Sequence, residues 1–194
     1  MTKIVGLTGG IGSGKTTIAK HINSLGIPVY IADDAAKKIL LLPEILNALK
    51  LVFGETVFED GLLNKDKLSK IVFNNPEMLK QLNQIVHPAV KIDFDNWLTL
   101  NKNQPLVVKE AAILFESGGY KDCDVIITIV APINERIQRV MARENTNSEA
   151  VLSRMNNQWT DEMRIEKSDY VIENKELIKA CAQTEKILKN ILNQ

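Results

Sequence analysis

The sequence predicts an α/β protein built around a parallel sheet of five strands. Short runs rich in valine and isoleucine recur along the 194 residues without clean polar alternation, which is typical of strands buried on both faces. Segments with apolar residues at helical spacing separate these runs, and this order favours parallel strands joined through helices. The predicted strands are Lys3–Leu7, Pro28–Ile31, Leu106–Lys109, Val125–Val130 and Tyr170–Ile172.

The first predicted strand leads directly into a complete G-x-x-x-x-G-K-[ST] motif at residues 9–16. Residues 17–25 have helical spacing, so the motif joins a strand to the start of a helix. Glycines in such a loop let the main chain wrap around a phosphate group, and the N–H groups of the helix start favour an anion. The predicted nucleotide contacts in this region are Gly12, Ser13, Gly14, Lys15, Thr16 and Thr17.

Two side chains of the motif have specific expected roles. Lys15 is expected to reach the β- and γ-phosphates of a bound nucleotide, and the Thr16 hydroxyl is expected to ligate Mg²⁺. A dinucleotide fingerprint fits less well, because its third glycine position holds Thr17. A glycine-rich turn without a ligand is the structural alternative.

Composition favours one globular domain with an insertion or a lid. Apolar residues make up 45% of the chain and charged residues 25%, and the formal net charge is zero. No overall field therefore attracts nucleic acid or an anionic membrane, and neither is an expected partner. Cys123 and Cys181 form no C-x-x-C pair, which suits a reducing cytosol. We expect a cytoplasmic protein, because no signal peptide or span of about 20 apolar residues is visible.

The domain is expected to have three parts. The nucleotide-binding core comprises residues 1–33, 104–144 and 165–194, the acceptor lobe 34–103, and the lid 145–164. The lobe has no convincing core strand and is expected to be helical throughout. Asn75-Pro76-Glu77 predicts a helix start, and His87-Pro88 predicts the end of that helix and the start of another.

The arginines are confined to one part of the chain. They are Arg136, Arg139, Arg143, Arg154 and Arg164. The first three are spaced i, i+3, i+7, so one helix face carries them. Because the guanidinium group suits phosphate, we expect lid closure to bring arginines onto the transferring phosphoryl group and to exclude water. The alternative is a solvated face, on which Glu135 and Arg139 form an i,i+4 pair.

Acidic side chains near predicted strand ends are candidates for proton transfer. Asp33 follows the second strand and is expected to accept a proton from an attacking hydroxyl and to bind Mg²⁺ through water. Asp34 is better interpreted as a first-turn acid of the next helix. Glu110 is either a group near the metal or an exposed strand-end acid. Glu116 either orients the acceptor or caps a helix, and His87 is either a structural hydrogen-bonding group or part of the substrate site.

Taken together, these residues resemble the dephospho-CoA kinase family over essentially the whole chain. The matching positions are the opening 4–15, Asp33, His87-Pro88, Ile113–Glu116, Arg139, Arg143, Gln158, Arg164 and the stretch 168–174. The resemblance implies a P-loop NTPase fold with three α/β/α layers, a helical acceptor-binding insertion and a helical lid. It also implies transfer of phosphate from ATP to the ribose 3′-hydroxyl of dephospho-CoA, and a monomer or weak homo-oligomer.

Residue roles follow from the resemblance position by position. Asp33, Lys15 and Arg143 would be catalytic, with Asp33 as the base. Arg139, Arg143 and Asn174 would contact the nucleotide, and Asp33, Lys37, His87, Leu114 and Glu116 would contact the acceptor. The chain departs from the family at Ile31, where the family has an aspartate, and at Lys37, where an arginine is frequent.

Two other functions have to be separated from this one. Another small-molecule kinase, acting on a nucleoside or nucleoside monophosphate, would share the loop, the lid and the base. A nucleotide switch would bind GTP or ATP without transferring phosphate. Its guanine-reading Asn-Lys-x-Asp string is not matched, because Asn64-Lys65-Asp66-Lys67 ends in lysine.

Overall fold

The computed structural model describes residues 2–73 and 75–193 and contains two sheets. The strands are β1 (Lys3–Thr8), β2 (Val29–Ile31), β3 (Phe58–Glu59), β4 (Leu62–Leu63), β5 (Leu106–Glu110), β6 (Val125–Val130) and β7 (Tyr170–Glu173). Five of them form one sheet in the order β2-β5-β1-β6-β7, and every neighbouring pair is parallel. The predicted fold class and all five predicted core strands are confirmed, and no strand end differs from its predicted position by more than one residue.

The helices are α1 (Lys15–Ser24), α2 (Ala32–Ile39), α3 (Pro43–Phe53), α4 (Lys65–Phe73), α5 (Pro76–Leu100), α6 (Ile133–Glu144), α7 (Ser148–Asn156), α8 (Asp161–Glu166) and α9 (Leu177–Leu192). Helices α1 and α9 pack against the central strands. Their shared core includes Val5, Leu7, Ile18, Ile127 and Leu188, each no more than 2% exposed. This core fixes β1 and α1, and therefore the two ends of the glycine-rich loop between them.

The chain divides into two compact units, residues 1–31 with 98–194 and residues 32–97. The first unit contains the five-stranded sheet. The second contains α2 to α4, most of α5 and the short hairpin β3–β4, and it has its own buried side chains. They include Leu49, Val57, Leu68 and Phe94.

The second unit corrects the prediction that residues 34–103 are helical throughout. Strands β3 and β4 pair antiparallel, Phe58 opposite Leu63 and Glu59 opposite Leu62. Between them Asp60 and Gly61 both have positive φ, 50° and 78°. Asp-Gly is a strong signal for such a two-residue turn, so the hairpin was readable from the sequence at this dipeptide.

The predicted helix break at His87-Pro88 is wrong, because α5 runs through Pro88. Proline inside a helix removes one backbone hydrogen bond and costs about 3 kcal/mol. Burial on both sides of it offsets that cost, since Val86 is 8% exposed and Phe94 is 1% exposed. The predicted start is confirmed: the Asn75 side chain accepts hydrogen bonds from the N–H groups of Glu77 and Met78.

Candidate active site

The loop between β1 and α1 adopts a conformation that requires glycine. Gly12 and Gly14 have φ values of 79° and 91°, and Gly14 is the N-cap of α1. A Cβ at Gly12 would lie 2.4 Å from the Arg136 carbonyl oxygen, and one at Gly14 would lie 2.1 Å from Asn174 Nδ2. Both the backbone conformation and the available space therefore exclude side chains at these two positions.

Lys15 begins α1 beside a buried acid. Its Nζ lies 3.9 Å from Glu110 Oε1, and the two residues are 9% and 1% exposed. Glu110 ends β5 and pairs in register with Leu7 of β1, which explains its proximity to the loop. The interpretation of Glu110 as an exposed strand-end acid is therefore wrong. The structure places a carboxylate next to the lysine that is expected to bind phosphate.

The hydroxyl groups of the loop differ in exposure. Thr16 and Thr17 are exposed in the first turn of α1, whereas Ser13 is buried. The Ser13 N–H donates to the Gly10 carbonyl at 3.1 Å, and its buried Oγ has no hydrogen-bond partner in the part of the chain that the structure describes. Thr16 is therefore available to a ligand through its hydroxyl group.

Three side chains hold the main chain of the loop. The Ile11 N–H donates to Gln158 Oε1 at 2.9 Å, and the Ile11 carbonyl accepts from Arg136 Nε at 2.9 Å. Asn174 Nδ2 donates to the Ser13 carbonyl at 2.8 Å. The family resemblance predicts Asn174 as a nucleotide contact, and the i, i+3, i+7 spacing places Arg136 on the same helix face as Arg139 and Arg143. The contacts of Asn174 and Arg136 with the loop backbone left no local signal in the sequence.

The three arginines of α6 have different environments. Arg136 is 7% exposed, so its part of the face is buried. Arg139 donates through Nη2 to Glu135 at 2.7 Å, which is the predicted i,i+4 pair, and to the Asn174 carbonyl at 3.0 Å. Arg143 is largely exposed and pairs with Glu144. Arg139 and Arg143 are thus better exposed to a ligand than Arg136 is.

Glu144 joins two of the arginines. Its carboxylate accepts hydrogen bonds from Arg143 and from Arg154 of α7. Partial desolvation raises the pKa of Glu144, but the hydrogen bonds from Arg154 and Arg143 outweigh it, and the net pKa lies below the usual value. This acid therefore stays ionised and holds the two guanidinium groups near each other.

A buried ion-pair cluster lies between the end of β5 and α8. Arg164 is fully buried and donates through Nη2 to Glu116 Oε1 at 3.1 Å. Its Nη1 donates to the Trp159 carbonyl and lies 3.6 Å from Asp161 Oδ1. Burial lowers the pKa of Arg164, while Glu116 and Asp161 act in the opposite direction. Glu116 Oε1 also accepts from the Trp159 N–H at 2.9 Å.

The apolar neighbours of Glu116 complete this cluster. Phe115 stacks on Trp159 with ring centroids 5.3 Å apart and an interplanar angle of 3°. Leu114 is fully buried, and a Cβ on Gly6 would lie 2.7 Å from its Cδ2. In this conformation Leu114 packs in the core, and Glu116 is occupied by Arg164 and Trp159. Acceptor contact by these two residues stays a prediction.

Three predicted acceptor residues lie in the unit formed by residues 32–97. Asp33 and Asp34 are both exposed in the first turn of α2, directly after β2. Lys37 Nζ lies 2.8 Å from Asp34 Oδ1. His87 is half-buried in α5, and burial lowers its pKa. The roles predicted for Asp33, Lys37 and His87 stay predictions.

Comparison with known proteins decides the family. A sequence model of dephospho-CoA kinase matches residues 3–180. The chain belongs to the dephospho-CoA kinase family. The dephospho-CoA kinase of Bacteroides fragilis is 37% identical over 171 residues, covering 88% of this chain and 83% of that protein. The enzyme of Fusobacterium nucleatum is also 37% identical, over 88% of this chain and 89% of its own.

Solved structures agree with this membership of the dephospho-CoA kinase family. A Thermus thermophilus crystal structure superposes with a TM-score of 0.87 at 35% identity, covering 99% of this chain and 97% of that one. The dephospho-CoA kinase of Campylobacter jejuni gives a TM-score of 0.72 at 28% identity over 100% and 98% of the two chains. A shikimate kinase from Acinetobacter baumannii, at 19% identity and a TM-score of 0.57, shares the fold.

The described residues contain neither a preformed cluster of metal-binding side chains nor a membrane-spanning helix. Across residues 2–73 and 75–193, no three His, Cys, Asp or Glu side chains form a group that could hold a metal ion. Over the same residues, no helix combines the length and the apolar character that crossing a membrane requires.

Proposed function

We propose that this chain transfers the γ-phosphoryl group of ATP to the 3′-hydroxyl of the ribose of dephospho-CoA, giving CoA and ADP. The observation that carries the proposal is the complete phosphate-binding loop, with Lys15 beside buried Glu110, in a chain of the dephospho-CoA kinase family. In-line transfer needs little covalent chemistry from the protein. It needs positioning and stabilisation of charge on the equatorial oxygens.

The loop and α6 supply the positive charge in this proposal. Backbone N–H groups of residues 12–17 that do not donate within the loop bind the phosphates, and the start of α1 adds the positive end of its dipole. Lys15 binds the β- and γ-phosphates, and Glu110, whose Oε1 lies 3.9 Å from Lys15 Nζ, helps to orient the lysine side chain. Arg139 and Arg143 bind the nucleotide, with Arg143 stabilising charge on the transferring group. For this, Arg143 has to exchange Glu144 for phosphate.

Asp33 is the proposed general base. Its exposed carboxylate in the first turn of α2 accepts the proton of the 3′-hydroxyl as the oxygen attacks phosphorus. Lys37 and His87 contact the acceptor, and His87 does so as a neutral imidazole because its pKa is lowered by burial. For Glu116 we propose an additional indirect contribution, since it holds the segment around Trp159 and Arg164 in place. Acceptor contact by Leu114 and Glu116 stays a prediction.

Magnesium completes the proposed reactant complex. The exposed Thr16 hydroxyl at the start of α1 fits a magnesium ligand, and Asp33 would bind the ion through water. Mg²⁺ usually takes few protein ligands and several phosphate or water oxygens, so a protein cluster of three acids is not required. Bound Mg²⁺ would neutralise charge on the phosphate oxygens. A cytoplasmic location and a monomeric or weakly oligomeric state stay predictions.

ADP release under Mg-ATP tests the proposal against its rivals. Purified protein is assayed with dephospho-CoA, adenosine, AMP, CMP, shikimate or no acceptor. We expect release that depends strongly on dephospho-CoA. Release that depends instead on AMP or adenosine would identify a different small-molecule kinase, and a lack of acceptor dependence would favour a nucleotide switch.

A further inference from the structure

We propose that Arg136 and Asp161 form a positioning pair that sets the conformation of the phosphate-binding loop and thereby its affinity for nucleotide. Arg136 Nε donates to the Ile11 carbonyl at 2.9 Å, and its Nη1 donates to Asp161 Oδ2 at 2.9 Å. One guanidinium group therefore joins the loop backbone to the first turn of α8. The inference rests on the proposed nucleotide site and adds residues that do not themselves touch nucleotide.

Packing around Arg136 shows how closely the loop is matched to it. A Cβ on Gly10 would lie 2.0 Å from Arg136 Nη2, and one on Gly12 would lie 2.4 Å from the Arg136 carbonyl oxygen. Arg136 is 7% exposed, so its charge is largely removed from water. A charge in that position needs a partner, and Asp161, with a side chain that is 20% exposed, supplies it.

Ile11 is held from a second side by the same part of the chain. Its N–H donates to Gln158 Oε1 at 2.9 Å, three residues before Asp161. Both backbone groups of Ile11 are thus tied to the segment 158–164. The N–H bonds directly to Gln158, and the carbonyl bonds to Arg136, which in turn binds Asp161. Because the N–H groups of Ile11 and Ser13 already donate to Gln158 and Gly10, phosphate has to be bound by other N–H groups of the loop and of the start of α1. The direction in which those N–H groups point depends on the position of the Ile11 backbone.

The segment 158–164 is itself rigidly supported. Thr160 caps α8 by accepting from the Met163 N–H at 3.3 Å. Fully buried Arg164 binds the Trp159 carbonyl, Asp161 and Glu116, and Trp159 stacks on Phe115. This support gives Asp161 a fixed position. Through its ion pair with Asp161, Arg136 is also held in place, and so is the Ile11 carbonyl to which Arg136 donates. A single hydrogen bond to flexible chain would not do so.

Four purified variants and the wild type test the inference by calorimetric titration with MgADP. Arg136→Gln removes the charge, Asp161→Asn removes its partner, and the double variant measures their coupling. Glu166→Gln is the matched control, since it removes an exposed carboxylate from the same helix. We expect each single variant to raise the ADP Kd about tenfold, the loss typical of a hydrogen bond to a charged group. The double variant should have an ADP Kd no higher than that of the single variant with the higher Kd, because both substitutions remove the same interaction.

Steady-state kinetics separates positioning from general structural support. The Arg136 and Asp161 variants should raise the KM for ATP about as much as the ADP Kd, about tenfold, and change the KM for dephospho-CoA by less than about twofold. Equal changes in both KM values, or ADP affinities equal to that of Glu166→Gln, would overturn the inference. If Arg136→Gln does not fold, Gln158→Met tests the other contact of Ile11 and should also weaken ADP binding severalfold.

A failure of the proposed function would give a different result from a failure of the Arg136–Asp161 inference. A wild type that binds MgADP but does not phosphorylate dephospho-CoA would contradict the function. In that case the ADP affinities of the variants still decide whether Arg136 and Asp161 position the loop.

Discussion

Truncation of Glu116 should destabilise the protein strongly, because it leaves a buried arginine without its main partner. In Glu116→Ala, Arg164 loses the carboxylate 3.1 Å from Nη2, and the Trp159 N–H loses its acceptor at 2.9 Å. Arg164 is fully buried, whereas the Glu116 side chain is 18% exposed, so water that enters the vacated space can replace the lost carboxylate only with a neutral partner. Asp161 at 3.6 Å compensates only part of the charge.

The expected loss follows from these contacts. Removing one partner of a buried ion pair costs about 3–5 kcal/mol, and the remaining Asp161 contact favours the lower end of that range. For a chain of this size, about 3 kcal/mol corresponds to a fall in melting temperature of roughly 6–12 °C. Glu116→Gln should lose much less, because its amide oxygen can still accept from Arg164 and Trp159.

Urea unfolding monitored by tryptophan fluorescence measures this loss. Glu55→Ala is the control, since its carboxylate pairs with Lys50 while both side chains are more than half exposed. That substitution should cost less than about 1 kcal/mol. A loss for Glu116→Ala as small as that of the control would refute the assignment of Glu116 to the support of Arg164.

Three further predictions concern single side chains. Asp33→Asn should lower kcat by roughly 10²–10⁴ while MgADP still binds, and near-normal kcat in this variant would remove Asp33 as the base. Asp66→Asn, which changes another exposed acid of the same unit, should keep full turnover. Burial holds the folded-state pKa of His87 below its usual 6.5, so the unfolded state binds more protons and stability falls as pH drops through 6.5. His87→Gln should therefore show a shallower loss of unfolding free energy than wild type between about pH 7.5 and pH 5.5, and parallel curves would contradict this. Burial raises the pKa of Cys123 to about 12, so iodoacetamide at about pH 8.5 should alkylate it in urea but not in the native protein, as read by peptide mass spectrometry.

Local sequence patterns predicted the parts of the fold that depend on neighbouring residues. The run Ile4-Val5 before the glycine motif predicts a buried strand, and the motif predicts the strand–loop–helix unit around Lys15. Asn75 was predictable as a helix cap because a cap involves only the next few residues. The parallel sheet followed because five apolar strands alternate with helical segments.

Sequence patterns did not predict features that depend on distant contacts. Pro88 was expected to end a helix, but the burial of Val86 and Phe94 keeps α5 continuous. Arg136 was grouped with Arg139 and Arg143 by spacing alone. Its role is set by Ile11 and by Asp161, which lie 125 and 25 residues away. No periodicity records such a pairing, because it exists only after the chain has folded.

Identification of the phosphorylated product tests the central claim most directly. Dephospho-CoA is incubated with Mg-ATP and the purified chain, and the product is examined by mass spectrometry and phosphorus NMR. We predict one added phosphoryl group as a monoester on the ribose 3′-oxygen, formed in equal amount to ADP. ADP formation without that monoester, or a phosphoryl group on a different acceptor, would contradict the proposed function.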